Sequence, residues 1–286
     1  MLPLLAHAAE SWRAHAPLPV PRTEVAAAAA NGQIFVVGGY LADGRSTDEV
    51  DIYLPKADRW LRAPDLPAEV NHAAAATSRG RIFVLGGYGA ERSAFSFDGK
   101  RWRTLRLPAA RGAAGAAALR GVVYVVGGRG VGGLARNVLA YDGRRWRILP
   151  GPTPREHLAV AAARGRLYAI GGRMAGYDTN VGTVESWAPG ERRWRRETSL
   201  PEARGGTGAA AVGGTIVSVG GEAPSGTLQA VFAYDIARRA WRRLADLPTP
   251  RHGLGVVSLG RSVYVIGGGP QPGLHVSDAN ESLTLG

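Results

Sequence analysis

The sequence contains no cysteine. Disulfides, thiolate metal sites and cysteine nucleophiles are therefore excluded. The compartment stays open, because a core of this size needs no disulfide staples. Lysine is nearly missing as well: Lys56 and Lys100 are the only two, so arginine carries the formal net charge of +12. No basic run and no aromatic-basic recognition signature is present, and nucleic acid is not an expected partner. No apolar stretch reaches the roughly 18 residues needed to cross a bilayer as a helix.

What the chain has in excess is glycine and proline, 41 and 18 in 286 residues, the composition of many turns and short elements. The positive charge reads in two ways, as a field that draws in an anionic partner or as arginine-rich codon usage alongside abundant alanine. The arginines are spread through the chain rather than clustered, which favours the second. The opening "MLPLLAHAAESW" has the shape of the end of a secretory signal, with "LPLL" closing an apolar region and "AHA" as a cleavage site. Residues 1–11 are set apart on that ground. They lean towards a periplasmic or secreted protein, against a truncated start or a plain cytosolic terminus.

Self-similarity settles the architecture. Glycine pairs close an apolar run six times, at Gly38-Gly39, Gly86-Gly87, Gly127-Gly128, Gly171-Gly172, Gly220-Gly221 and Gly267-Gly268. Nineteen residues before each stands a proline: Pro19, Pro67, Pro108, Pro152, Pro201 and Pro248. Six or seven residues earlier stands a tryptophan, using Trp12, Trp60, Trp102, Trp146, Trp194 and Trp241 and leaving only Trp187 outside the frame.

Each unit reads as four short strands. The first is rich in small residues ("VAAAAA", "LAVAAA"), too short and too closely bounded by breakers to be a helix. The second is continuously apolar ("QIFVVGG"), the third carries "YD", and the fourth carries the tryptophan. Such units cannot bury their own faces and pack radially, with the small-sided strand innermost. The expectation is an all-β, six-bladed propeller over residues 12–286. The chain starts on a fourth strand and ends on a third, so the N-terminal strand completes the last blade and closes the ring.

The glycine pair, the "YD" of Tyr141-Asp142 and Tyr234-Asp235, the strand-four tryptophan and the "LP..R" turn together resemble the kelch motif, over residues 12 to 285. Two departures stand out. Val70 replaces the turn arginine in the second copy, and the last copy has a long proline-bearing insertion before its third strand.

Arg22, Arg111, Arg155, Arg204 and Arg251 share one register, which favours a structural role in the turn between blades. The next two positions disagree between copies: Thr23-Glu24, Asn71-His72, Gly112-Ala113, Glu156-His157, Gly205-Gly206 and His252-Gly253. In kelch propellers this turn and the loop after the glycine pair, which here begins with Tyr40, Tyr88, Arg129, Arg173, Glu222 and Gly269, shape one mouth of the central channel. The resemblance thus puts Glu24, Glu156, His72 and His157 at the mouth as acid-base groups. Around them it puts Arg22, Tyr40, Asn71, Tyr88, Arg129, Arg155, Arg173, Glu222 and His252 as ligand contacts.

His72, His157 and His252 fall on alternate blades, so three imidazoles could meet on the axis and hold a divalent metal. His252 is one residue out of phase, which argues against it; no cofactor is expected. "GRGVGG" at 128–133 fits a dinucleotide fingerprint, but no helix follows, and it reads as a flexible loop.

Two functions remain. One is a binding module that needs no attached domain, taking a small anionic ligand or a peptide or protein at the mouth as a monomer. The other resembles the exported bacterial kelch proteins that mutarotate or epimerise sialic acids, with Glu and His moving protons and arginine clamping the carboxylate. The copper radical oxidases with kelch-type repeats are excluded, since their cofactor needs a cysteine.

Overall fold

In the computed structural model, which describes residues 10–286, the chain forms six four-stranded antiparallel sheets. The proposed signal remnant lies almost wholly outside the described residues. Blade one comprises Ala26–Ala30, Gln33–Val37, Val50–Leu54 and Arg59–Arg62. Blades two to five repeat that order from Ala74–Ser78, Gly115–Leu119, Ala159–Ala163 and Gly208–Val212. Blade six is Gly255–Leu259, Ser262–Ile266, Asn280–Thr284 and, as its fourth strand, Trp12–Ala14. The pairing Trp12↔Leu283, Arg13↔Ser282 and Ala14↔Glu281 sews the two ends of the chain together, as the strand count required.

The innermost strands alternate buried and half-exposed residues, as Ala26–Ala30 does, because one face packs into the blade and the other lines the bore. Only small side chains fit where six such strands converge. The second strands are buried on both faces; Val36, Val37, Val84, Val125 and Ile170 are inaccessible or nearly so. Glycine pairs follow because the first glycine touches the neighbouring blade and the second the turn of its own blade. A Cβ on Gly86 would stand 2.2 Å from the Arg111 carbonyl oxygen, and one on Gly87 2.7 Å from that of Asn71.

The fourth-strand tryptophans join blades. Each indole N–H of Trp12, Trp60, Trp102, Trp194 and Trp241 donates to a carbonyl on the preceding blade: Ala245, Ala16, Pro64, Pro150 and Thr198, at 2.8–3.0 Å. Trp187, the tryptophan outside the frame, occupies the third-strand aromatic position held by Tyr53, Phe97, Tyr141 and Tyr234, and stacks on Trp194. Trp12→Ala removes both the indole bond to Ala245 of blade five and the packing of the ring. We expect a loss of about 2 kcal/mol, below the 3–5 typical of a fully buried aromatic, with amide exchange accelerated first in blade six.

One loop differs from expectation. Arg129–Gly130 pairs with Gly133–Leu134 as a tight ribbon rather than a flexible loop. Gly132 and Gly133 take the positive φ values that so short a turn demands.

Candidate functional site

The turn residues meet on the propeller axis. Glu24, His72, Ala113, His157, Gly206 and Gly253, one per blade, all have φ between 50° and 64°. Their backbones form a closed ring. The His72 N–H donates to Glu24 O, Ala113 to His72, His157 to Ala113, Gly206 to His157 and Gly253 to Gly206, at 2.9–3.0 Å; Val25 N–H on Gly253 O completes it at 3.2 Å. This left-handed conformation suits glycine, which blades five and six supply. Glu24, His72, Ala113 and His157 occupy it at a cost of about 1–3 kcal/mol each, a kind of strain that clusters at functional sites.

The residue before each ring position pairs with the residue after a glycine pair: Thr23 with Tyr40, Asn71 with Tyr88, Gly112 with Arg129, Glu156 with Arg173, Gly205 with Glu222 and His252 with Gly269. The two sets of predicted site residues therefore share one mouth. Over the ring lies a cavity of about 230 Å³, with Glu24, His72, Arg173, Glu222 and His252 as a polar floor and Tyr40, Tyr177 and Leu274 as walls. Beneath it, Glu24, His72 and His157 cap an alanine-lined bore.

The floor is a continuous polar network. His252 Nδ1 stands 3.2 Å from Glu24 Oε1, and Glu24 Oε2 stands 3.2 Å from His72 Nε2. The His72 and His157 rings meet edge to face at 4.9 Å. Arg173 donates to His157 Nε2 at 2.9 Å and to Glu222 Oε1 at 2.6 Å, and Glu222 Oε2 returns to within 3.7 Å of His252 Nδ1. Glu156 receives Arg129 at 3.3 Å. Asn71 holds His72 Nδ1 at 2.5 Å and is itself anchored on Ser46 Oγ.

Charge states follow from this geometry. Burial pushes the Glu24 carboxyl up, but the surrounding imidazoles outweigh it and hold Glu24 far below the usual carboxylate range. Burial lowers His72 to about 4, so it is unprotonated at neutral pH despite Glu24. Burial also works against charge on His252, yet the Glu24 contact, Glu222 and the Gln271 carbonyl prevail and raise its pKa. Both His252 nitrogens face acceptors, since Nε2 reaches the Gln271 and Gly273 carbonyls at 3.0 and 3.1 Å. Glu156 is lowered: burial opposes ionisation, but His157, Arg129 and Arg173 overcome it.

Two expectations need correction. Arg22 and Arg155 do not reach the mouth. Both are fully buried inside their blades, where Arg155 donates to Gly171 O, Ala169 O and Glu185, and Arg22 to Gly38 O, Glu49 O and Asp51. The metal trio is also different. Glu24, His72 and His157 bring ligand atoms within 4.8 Å of one another, whereas His252, one residue out of phase, approaches Glu24 from the other side with Nε2 already bonded to carbonyls. A guanidinium on His157 Nε2 opposes a cation there, because Arg173 would have to be displaced.

Tyr88 and Arg129 stand beside the floor and line a neighbouring recess with Val131. Tyr177 and Leu274 were not anticipated. The signal available for them was a large apolar residue, exposed, in each of two loops of unequal length after a glycine pair.

The kelch motif model matches residues 21–67, 110–153, 154–201 and 203–248, more than half of the sequence. The chain belongs to the kelch family. The solved structure of YjhT superposes on this kelch propeller with a TM-score of 0.79, at 14% identity over 92% of this chain and 95% of that one. At that identity the likeness is one of fold. No curated protein matches the sequence. Kelch propellers serve broadly as binding scaffolds, and their specificity lies in the site each one carries.

Proposed function

We propose that the channel mouth binds a small acidic ligand of the sugar-acid class. The carrying observation is the placement of Glu24, His72 and His157 at ring positions whose backbone favours glycine. Side chains kept there against strain point to a role beyond holding the ring. Arg173 and Arg129 supply donors for a carboxylate, Glu24 and Glu222 accept hydroxyls, and Tyr40 and Tyr177 offer faces for a ring.

A catalytic version of this reading has one observation in its favour. His72, unprotonated near neutral pH, lies 3.2 Å from the Glu24–His252 pair within the same cavity. Opening a sugar ring needs a base for the anomeric hydroxyl and an acid for the ring oxygen, and these are the groups at hand. The substrate would be a sialic-type sugar acid exchanging its anomers.

Titration calorimetry against acidic and neutral sugars tests the proposal. Saturable binding of an acidic sugar is expected, weakened about tenfold or more in Arg173→Ala, which loses a charge-assisted bond. Tyr177→Ala, an exposed wall residue, should weaken binding without lowering the melting temperature. If no acidic sugar binds, the proposal fails and the mouth is a surface for a peptide or protein. If one binds, faster anomer exchange by NMR that is lost in His72→Ala separates catalysis from binding alone.

A further inference from the structure

On the side of the propeller opposite the mouth, blades two and three leave a cleft of about 330 Å³. Arg79, Arg81 and Arg103 line it, together with Ser78, Ser96 and Tyr141. It contains no acidic side chain. The Ser78 hydroxyl is buried and has no hydrogen-bond partner. Arg79 is held across the turns of blade three: a Cβ on Gly121 would stand 2.9 Å from its Nε, and one on Gly143 3.3 Å from its NH1. Arg79 itself sits at φ 51°, in a hairpin position that favours asparagine or glycine.

Two other seams, which share its serine or tyrosine, show how side chains can fill such a cleft. Between blades four and five, Ser186 and Tyr234 occupy the registers of Ser96 and Tyr141. There the Glu197 carboxylate bridges them, accepting from Ser186 Oγ at 2.6 Å and Tyr234 Oη at 3.1 Å, with Arg239 at 3.0 Å. Arg166, the counterpart of Arg81, is paired with Glu191. Between blades six and one, His15 and Asp58 span the same two positions: His15 Nε2 meets Ser282 Oγ at 2.8 Å and Tyr53 Oη donates to Asp58 at 2.5 Å. Between blades two and three the register of Glu197 and His15 holds Leu105, and among the described residues no carboxylate forms an ion pair with the three arginines, Asp98 feeling the charge of Arg81 without contacting it.

We propose that this cleft is a second ligand site, selective for a small molecule bearing a phosphate or carboxylate group. The anion takes the place that Glu197 fills in the blade four–five seam. Ser96 and Tyr141 donate to its oxygens, Ser78 gains a partner, and Arg79, Arg81 and Arg103 balance its charge. The site is independent of the channel mouth, which lies at the other end of the blades.

Inorganic phosphate and malonate, titrated separately at constant ionic strength with chloride as control, test the proposal on the intact chain. Saturable binding of either that persists in Arg173→Ala, which disables the mouth, supports it, and the stronger of the two names the group recognised. Arg103→Ala should weaken that binding about tenfold, the worth of one charge-assisted hydrogen bond. Leu105→Glu, which installs the carboxylate found in the blade four–five seam, should abolish it, while Arg173→Ala in the mouth should leave it unchanged. Titrations that match chloride, or that are equal in wild type and Arg103→Ala, overturn the proposal; the latter variant alters an exposed residue and keeps the test valid should Leu105→Glu fail to fold.

Discussion

Arg155→Ala is expected to destabilise the propeller by about 3–5 kcal/mol, the usual cost of leaving a buried charge without its partner. The Arg155 guanidinium is inaccessible and pairs at 2.5 Å with Glu185, which without it keeps only the neutral Thr153 N–H and hydroxyl as donors, at 3.0–3.2 Å. Its other bonds satisfy the Gly171 and Ala169 carbonyls, so the substitution also strands backbone acceptors. Blade two shows how the same place is built without charge. Val70 stands at the arginine register, and Phe95 stands where blade four has Glu185. The double variant Arg155→Val, Glu185→Phe should therefore recover most of the loss, whereas Arg155→Val alone should not. Denaturant unfolding of the three variants decides the matter. Equal stability of the single and double variants would show that the ion pair is not what the arginine provides.

The second large effect is a loss of stability on mild acidification. His72 is held at about 4 against an ordinary value of 6.5, so the folded state binds its proton less readily than the unfolded chain. The resulting stabilisation is fully present above pH 6.5 and is lost as the pH falls towards 4. At about 1.4 kcal/mol per unit the loss is about 3 kcal/mol. Glu24, depressed by its imidazole neighbours, adds a further loss at still lower pH, below the unfolded carboxylate value. His252 acts in the opposite sense. Its raised pKa gives stability that is complete below 6.5 and declines as the pH rises through the folded value. Denaturant midpoints measured from pH 4 to 8 should thus fall on the acid side, and the fall between 6.5 and 4 should be much reduced in His72→Gln. An unchanged acid limb in that variant would assign the effect elsewhere.

These predictions rest on different amounts of sequence information. The repeated arginine was legible as part of the blade frame, but its direction was not. Arg22 and Arg155 sit one residue before the mouth positions, and only the packed blade shows them turned inward onto third-strand carboxylates some thirty residues away. That pairing is visible in hindsight as a correlation between two registers: Asp51, Glu185 and Glu281 face an arginine, Phe232 stacks beneath Arg204, and Phe95 accompanies Val70. The phase argument at His252 was sound as far as it went. Strand alternation separated it from His72 and His157, yet the turn brought its Nδ1 to Glu24 all the same.

The sequence by itself determined the number of blades, the strand order within each and the closure through Trp12, while the grouping of two turn sets around one mouth came from the kelch resemblance. It could do so because six copies repeat the local chemistry: small residues where strands converge, glycine where blades touch, tryptophan where they are stapled. Only the tertiary structure decided which side chains face the axis, which charges cancel, and which arginines between blades two and three are left without an ion-pair partner. Those outcomes depend on side chains from different repeats meeting in space, and no single repeat encodes its neighbour.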